Sequence, residues 1–156
     1  MQANALLSKN CRKSLCENTG FFHVKNKCFK NNKRINVLKL GGTSVGCAQR
    51  IQEVAKLISD NQPKIVVLSA MSGTTNTLVD ITNYLYHNDR QEALTTIQNL
   101  ELDYLMTISD LYSTEAFKHR GQEFVQTIFT YLRSFINKDF YPLQEKAVVA
   151  QGEIIS

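Results

Sequence analysis

Ile35-Asn36-Val37-Leu38-Lys39-Leu40-Gly41-Gly42-Thr43-Ser44-Val45-Gly46 is the stretch whose reading decides the fold. It is a short run of β character ended by two adjacent glycines and two hydroxyl residues. Downstream, Ile51, Val54, Ala55 and Ile58 fall at i, i+3, i+4 and i+7, one face of an amphipathic helix. Asn61-Gln62-Pro63 stops that helix, and Lys64 to Ser69, centred on Ile65-Val66-Val67-Leu68, reads as a second strand. Its unbroken apolar character suits a parallel strand covered on both faces. Strand, helix and strand within about 30 residues make a βαβ unit with a right-handed crossover.

Beyond it the chain turns helical. Leu78, Ile81 and Leu85 mark one stripe; Leu94, Ile97, Tyr104, Leu105, Ile108 and Leu111 mark a second. Phe117, Phe124, Ile128, Leu132 and Phe135 mark a third, with Gly121 as a candidate break. These apolar residues are read as core. Tyr141-Pro142 closes the helical run, and Lys146-Ala147-Val148-Val149-Ala150 leads into Gln151-Gly152-Glu153.

Upstream, residues 1–33 show no sustained period and are read as a disordered basic leader. Residues 1–34 carry eight Lys or Arg against Glu17, a charge of +7, whereas residues 35–156 carry ten against thirteen acids, −3. The formal charge of +4 is thus a property of the leader and says nothing of what the folded part binds. A nucleic-acid arm and a transit peptide are alternatives to a plain extension here, and no nucleic-acid partner is expected. Cys11, Cys16 and Cys28 fit no paired CxxC zinc framework and are read as free thiols. Cys47 is read as a small filler, and His87 and His119 as surface residues. No apolar run approaches the roughly 18 residues that cross a bilayer, so a cytoplasmic location is expected. Deleting residues 1–33 should leave the melting temperature essentially unchanged; a loss above about 5 °C, the effect of roughly 1 kcal/mol in a small domain, would show that the leader packs on the core.

The first glycine loop is suited to anions. Adjacent glycines allow close backbone approach, and their amides with the Thr43 and Ser44 hydroxyls can form a nest beside a helix N-terminus. Lys39 brings a cation to the carboxyl end of the strand, where ligands bind in open α/β sheets. A Walker A loop is excluded, because Cys47 and Ala48 follow Gly46 where Lys and Ser or Thr are required, and Gly41-Gly42 cannot serve as G-x-G-x-x-G. A ligand-free glycine turn satisfies the same local pattern. The second strand ends in a matching polar turn, Ser69-Ala70-Met71-Ser72-Gly73-Thr74-Thr75-Asn76, in which Thr75 or Asn76 could also serve simply as a helix cap.

Lys39-Leu40-Gly41-Gly42-Thr43-Ser44-Val45 resembles the K-F-G-G-T-S-V signature of aspartate kinases, in the amino acid kinase family, with Leu40 in place of Phe. Val67 to Asn76 resembles that family's second loop, and Gly152-Glu153-Ile154-Ile155-Ser156 its G-E-x-x-S helix start. The three motifs occur in family order across residues 35–156, and the helical middle is most similar to monofunctional members. The resemblance implies a parallel-sheet αβα sandwich of the amino acid kinase type, incomplete, with a helical insert after the second strand. Residues 34–156 would be the amino-terminal portion of its catalytic domain.

By the same resemblance, Lys39 is implied as the catalytic cation that offsets charge on the transferring phosphate. Lys39, Leu40, Gly41, Gly42, Thr43 and Ser44 form the implied ATP-phosphate loop, and Ser69, Thr75 and Glu153 the implied aspartate contacts. The implied reaction moves the γ-phosphoryl group of ATP, with Mg²⁺ accompanying the nucleotide, to the side-chain carboxylate of L-aspartate. Its product, 4-phospho-L-aspartate, leads to lysine, threonine and methionine. No protein metal site is implied, and full-length members are expected to be homo-oligomers. At this length the chain is expected to be inactive alone. The alternatives are another amino acid kinase with an acidic substrate, or a non-catalytic half-domain.

Overall fold

The computed structural model describes residues 27–28 and 34–156. Strand β1 (Lys27–Cys28) pairs antiparallel with β2 (Arg34–Leu40), and β2 pairs parallel with β3 (Lys64–Leu68), giving the order β1-β2-β3. Two residues of the expected leader therefore extend the sheet edge; the rest of it lies outside the described residues, as do Cys11 and Cys16. The β2–β3 register sets Lys39 opposite Val67 and Leu40 opposite Leu68. The backbone N–H of Ser69 donates to the Leu40 carbonyl at 3.0 Å, carrying the ladder into both loops.

Helix α1 (Ala48–Ile58) returns the chain from β2 to β3. Val54 packs with Leu40 and Val45, flanked by Ile51, Ile58 and Val66, so the predicted amphipathic face is the one that meets the sheet. Ala55 lies outside that face and is exposed. The helix ends at Ser59, whose hydroxyl donates to the Ala55 carbonyl at 2.6 Å.

The reading of β3 as covered on both faces is corrected. Ile65, Val67 and Leu68 are each more than two fifths exposed. Because side chains alternate along a strand, Lys39, Ile65 and Val67 share the face away from α1, and all three are exposed. Among the described residues only one helical layer of the αβα sandwich covers this sheet.

The helical insert holds the larger core. Helices α2 (Thr74–Tyr86), α3 (Arg90–Leu111) and α4 (Glu115–Arg133) pack side by side, and α5 (Pro142–Val149) and α6 (Gln151–Ile155) close against α2. Leu78, Ile81, Ile97, Phe129 and Leu132 are essentially inaccessible at its centre. Burying one such side chain contributes about 1.5–3 kcal/mol. Asp89 caps α3 by accepting the Glu92 N–H, and an Arg133–Glu101 ion pair ties α4 to α3.

Three details of the helices depart from expectation. Phe117 and Phe124 are about half exposed, because α4 turns Val125, Ile128, Phe129 and Leu132 toward the core. Gly121 breaks nothing; α4 runs through it, and a Cβ there would lie 3.2–3.3 Å from Ile108 side-chain carbons. Its role is to let α3 and α4 approach. Pro142 ends no helix either: it sits in the first turn of α5, where its missing N–H costs nothing.

Candidate functional site

The parallel β2–β3 pair delivers both glycine-rich loops to one edge of the sheet. The first, after Gly41, winds into a short 3-10 turn, Gly42–Val45, closed by the Ser44 N–H donating to the Gly41 carbonyl at 2.9 Å. The second, residues 69–73, lies against it. A Cβ on Gly42 would come within 2.8 Å of the Ala70 carbonyl oxygen and 3.2 Å of the Ser72 nitrogen. Gly42 is thus glycine because the two loops touch there, backbone to backbone.

Gly41 is different. Its φ of −73° suits any residue, and a Cβ would meet nothing within 4 Å. Among the described residues no neighbour requires glycine at that position, and neither does its backbone angle. The two glycines should therefore separate on mutation. Gly42→Ala should destabilise the domain by about 1–3 kcal/mol through the forced shift of the second loop, whereas Gly41→Ala should leave thermal unfolding unchanged. Equal melting temperatures for the two variants would contradict this division.

The other residues of the first loop also divide. Lys39 and Thr43 are exposed, and none of the ion pairs among the described residues engages Lys39. Ser44 is buried and engaged within the protein. The Leu40 side chain is wholly buried in the small sheet core, and its carbonyl already accepts the Ser69 N–H. Arg50, which sequence reasoning passed over, donates from α1 to the Thr43 carbonyl at 2.7 Å and braces the loop. Its position on a helix seven residues past Thr43 gives no sequence signal. Cys47 is exposed at the start of α1, so the filler reading is corrected. His87 and His119 are exposed as expected.

The second loop ends at Gly73, which precedes α2 with φ +91°, a left-handed conformation suited to glycine. Neither Thr75 nor Asn76 caps the helix; both are exposed residues inside its first turn. Thr75 lines a cavity of about 360 Å³ with Glu145, Lys146, Val149, Ala150 and Glu153. Beside it Gly152 packs against α2: a Cβ there would meet the Leu78 side chain at 3.2 Å and the Thr75 hydroxyl at 3.8 Å. Glu153 lies in the first turn of α6 and is exposed. Tyr86 donates its phenol proton to Glu145 at 2.9 Å, fixing α5 at the cavity rim. Lys146 and Glu145 add one charge of each sign and were not singled out from sequence.

The structure thus brings Thr75 and Glu153 together, although they are 78 residues apart in the chain. It brings the first loop onto the second at Gly42. Ser69, half-buried, stands where the second loop leaves β3, just before both contacts in sequence, and lines neither. Of the predicted residues, Thr75 and Glu153 line one cavity, and Gly42 rests on the second loop at Ala70 and Ser72.

Comparison with known proteins bears on the family. A family model described as "Amino acid kinase family" matches residues 34–151. A Pseudomonas putida aspartate kinase is 49% identical over 49 residues, 29% of this chain and 12% of that protein. A Helicobacter pylori aspartokinase is 32% identical over 84 residues, 51% of this chain and 19% of its own length. The chain therefore spans well under a quarter of these relatives. Among solved structures, Escherichia coli aspartokinase III in complex with aspartate and ADP superposes with a TM-score of 0.53 at 26% identity, over 75% of this chain and 26% of that one. The same enzyme with lysine and aspartate superposes equally well.

Proposed function

The chain belongs to the amino acid kinase family, and from that premise we propose that it supplies the phosphate loop and part of the acidic-substrate site of an aspartate kinase. The observation that carries this reading is the convergence of Thr75 and Glu153 on one cavity, at the far end of a loop whose near end rests on Gly42. Glu153 is suited to an ammonium group and Thr75 to a polar substrate oxygen, together a fit for an amino acid. The solved aspartokinase that superposes on this chain was captured with aspartate and ADP. ATP binding at Lys39, Gly41, Gly42 and Thr43 is part of the proposal, with Ser44 and Leu40 shaping the turn from inside.

The chemistry asks little of general acids and bases. An aspartate carboxylate is ionised at neutral pH. One of its oxygens attacks the γ-phosphorus, the bond to the bridging oxygen breaks, and ADP leaves with the electron pair; no proton moves. Catalysis then consists of alignment and charge stabilisation. Lys39, exposed at the strand end, is free to place its cation beside the phosphoryl oxygens, and the Gly41 backbone is open to close approach. Among the described residues no group of three His, Cys, Asp or Glu is placed to hold a metal. Magnesium is read as entering on the nucleotide, held mainly by phosphate oxygens and water, where it would neutralise phosphate charge.

No helix of the described residues is long and apolar enough to cross a membrane; a cytoplasmic setting remains part of the proposal. A full-length protein carrying this segment should release ADP only when MgATP and L-aspartate are both present, and release indifferent to aspartate would contradict the reading. The 156-residue chain alone should show no aspartate-dependent ADP release above a Lys39→Ala control, since it spans only 26% of the solved aspartokinase. Turnover above that control would show that the missing share is dispensable.

A further inference from the structure

The helical insert reaches the substrate loop through one buried polar contact. Tyr104, in the middle of α3, is 7% exposed, and its phenol oxygen lies 2.8 Å from the hydroxyl of Thr74, itself 2% exposed. Burial pushes the Tyr104 phenol above its ordinary value, while hydrogen bonds with Thr74 and with the Met71 backbone pull it partly back. The hydroxyl is therefore protonated at neutral pH and bonded to the residue that follows the Gly73 turn. The Thr74 N–H also donates to the Met71 carbonyl at 3.1 Å, so Tyr104 anchors a closed turn through the residue at its helical end.

We propose that Tyr104 is a positioning residue: its hydroxyl sets the rotation of the first turn of α2 and so aims Thr75 into the cavity that holds Glu153. Successive helical residues point about 100° apart, so fixing Thr74 inward fixes Thr75 outward. Gly73 makes such an anchor necessary, because a glycine in the left-handed region offers little resistance to reorientation. The phenol is not there for packing alone. The Tyr104 ring meets Phe129 at 6.1 Å between centroids, a contact that a phenylalanine would keep while leaving the Thr74 hydroxyl buried without this partner. The inference rests on the reading of Thr75 as an aspartate contact, and the test separates the two.

The experiment compares the 156-residue wild type with Tyr104→Phe by amide hydrogen exchange and by NMR titration with L-aspartate. Exchange at residues 69–78 should quicken by about fivefold, the factor expected for one net hydrogen bond, with Ile97 and Phe129 amides unchanged. Aspartate affinity should fall by a similar factor. Thr74→Val should reproduce both effects, and the double variant should be no worse than either single one. Unaltered loop exchange in Tyr104→Phe, or exchange that rises equally through α3 and α4, would overturn the proposal. Local loosening in Tyr104→Phe, beside a wild type that shows no aspartate shifts at residues 74–76 or 153, would uphold the tether and deny this chain an aspartate site of its own.

Discussion

Replacing Lys39 by alanine in a full-length protein carrying this segment should lower kcat by roughly two to three powers of ten, the usual cost of removing a preorganised electrostatic donor. The KM for aspartate should barely move. Lys39 stands at the end of β2 beside the first loop, on the exposed sheet face and outside both hydrophobic clusters, so the substitution should cost no measurable stability. A surface lysine with no role would leave kcat intact. Steady-state kinetics with each substrate varied in turn distinguishes these outcomes. Unchanged kcat with a raised aspartate KM would move Lys39 from the phosphoryl group to the amino acid and would sink the assignment of the first loop.

Glu153→Gln should give the converse pattern. The side chain keeps its size and loses its charge, so a charge-assisted bond to an ammonium group is weakened while the cavity keeps its shape. Aspartate binding should weaken by about 10- to 100-fold, the equivalent of about 1.5–3 kcal/mol, with ATP affinity nearly preserved. The competing account makes Glu153 an acid interacting with the first turn of α6. That helix has five residues, so the interaction would be small and would appear in thermal stability. A lowered melting temperature with unchanged aspartate affinity would favour it.

The βαβ unit was legible because each of its parts carries its own local signal. Apolar runs stop at Gly41-Gly42 and at Ser69, and the stripe on α1 has the helical period; parallel pairing of β2 with β3 then follows from the crossover. Periodicity also located the three long helices, but not which side of a broad apolar stripe would be covered. On α4 it favoured Phe117 and Phe124, whereas the neighbouring helices cover Val125 and Phe129 instead. That choice depends on where α3 lies, which no window of sequence contains. Gly121 shows the same limit: it resembles a helix breaker along the chain and is a point of close approach across it.

The candidate site was legible in parts. The glycine and hydroxyl composition of both loops marked them as unusual turns, and the resemblance attached roles to Lys39, Thr75 and Glu153. What the chain's order hid was the division of labour among neighbours. Gly41 and Gly42 look equivalent in sequence, yet one faces open space and the other touches Ala70 and Ser72. Thr74 and Thr75 look equivalent too, yet the first is bonded inward to Tyr104 and the second faces the cavity. In each pair a residue about 30 positions away makes the difference, so only the folded chain reveals it.

The central claim, that this segment belongs to an enzyme phosphorylating the side-chain carboxylate of aspartate, is tested most directly by trapping the product. An acyl phosphate reacts with hydroxylamine to give a hydroxamate, whereas phosphate esters do not. Full-length protein supplied with MgATP, hydroxylamine and either L-aspartate or L-glutamate should accumulate hydroxamate with aspartate alone, in step with ADP release and slowed by roughly two to three powers of ten in Lys39→Ala. Hydroxamate formed from glutamate in preference to aspartate would move the protein to another acidic substrate within its family. Aspartate-dependent ADP release with no hydroxamate at all would contradict carboxylate phosphorylation itself.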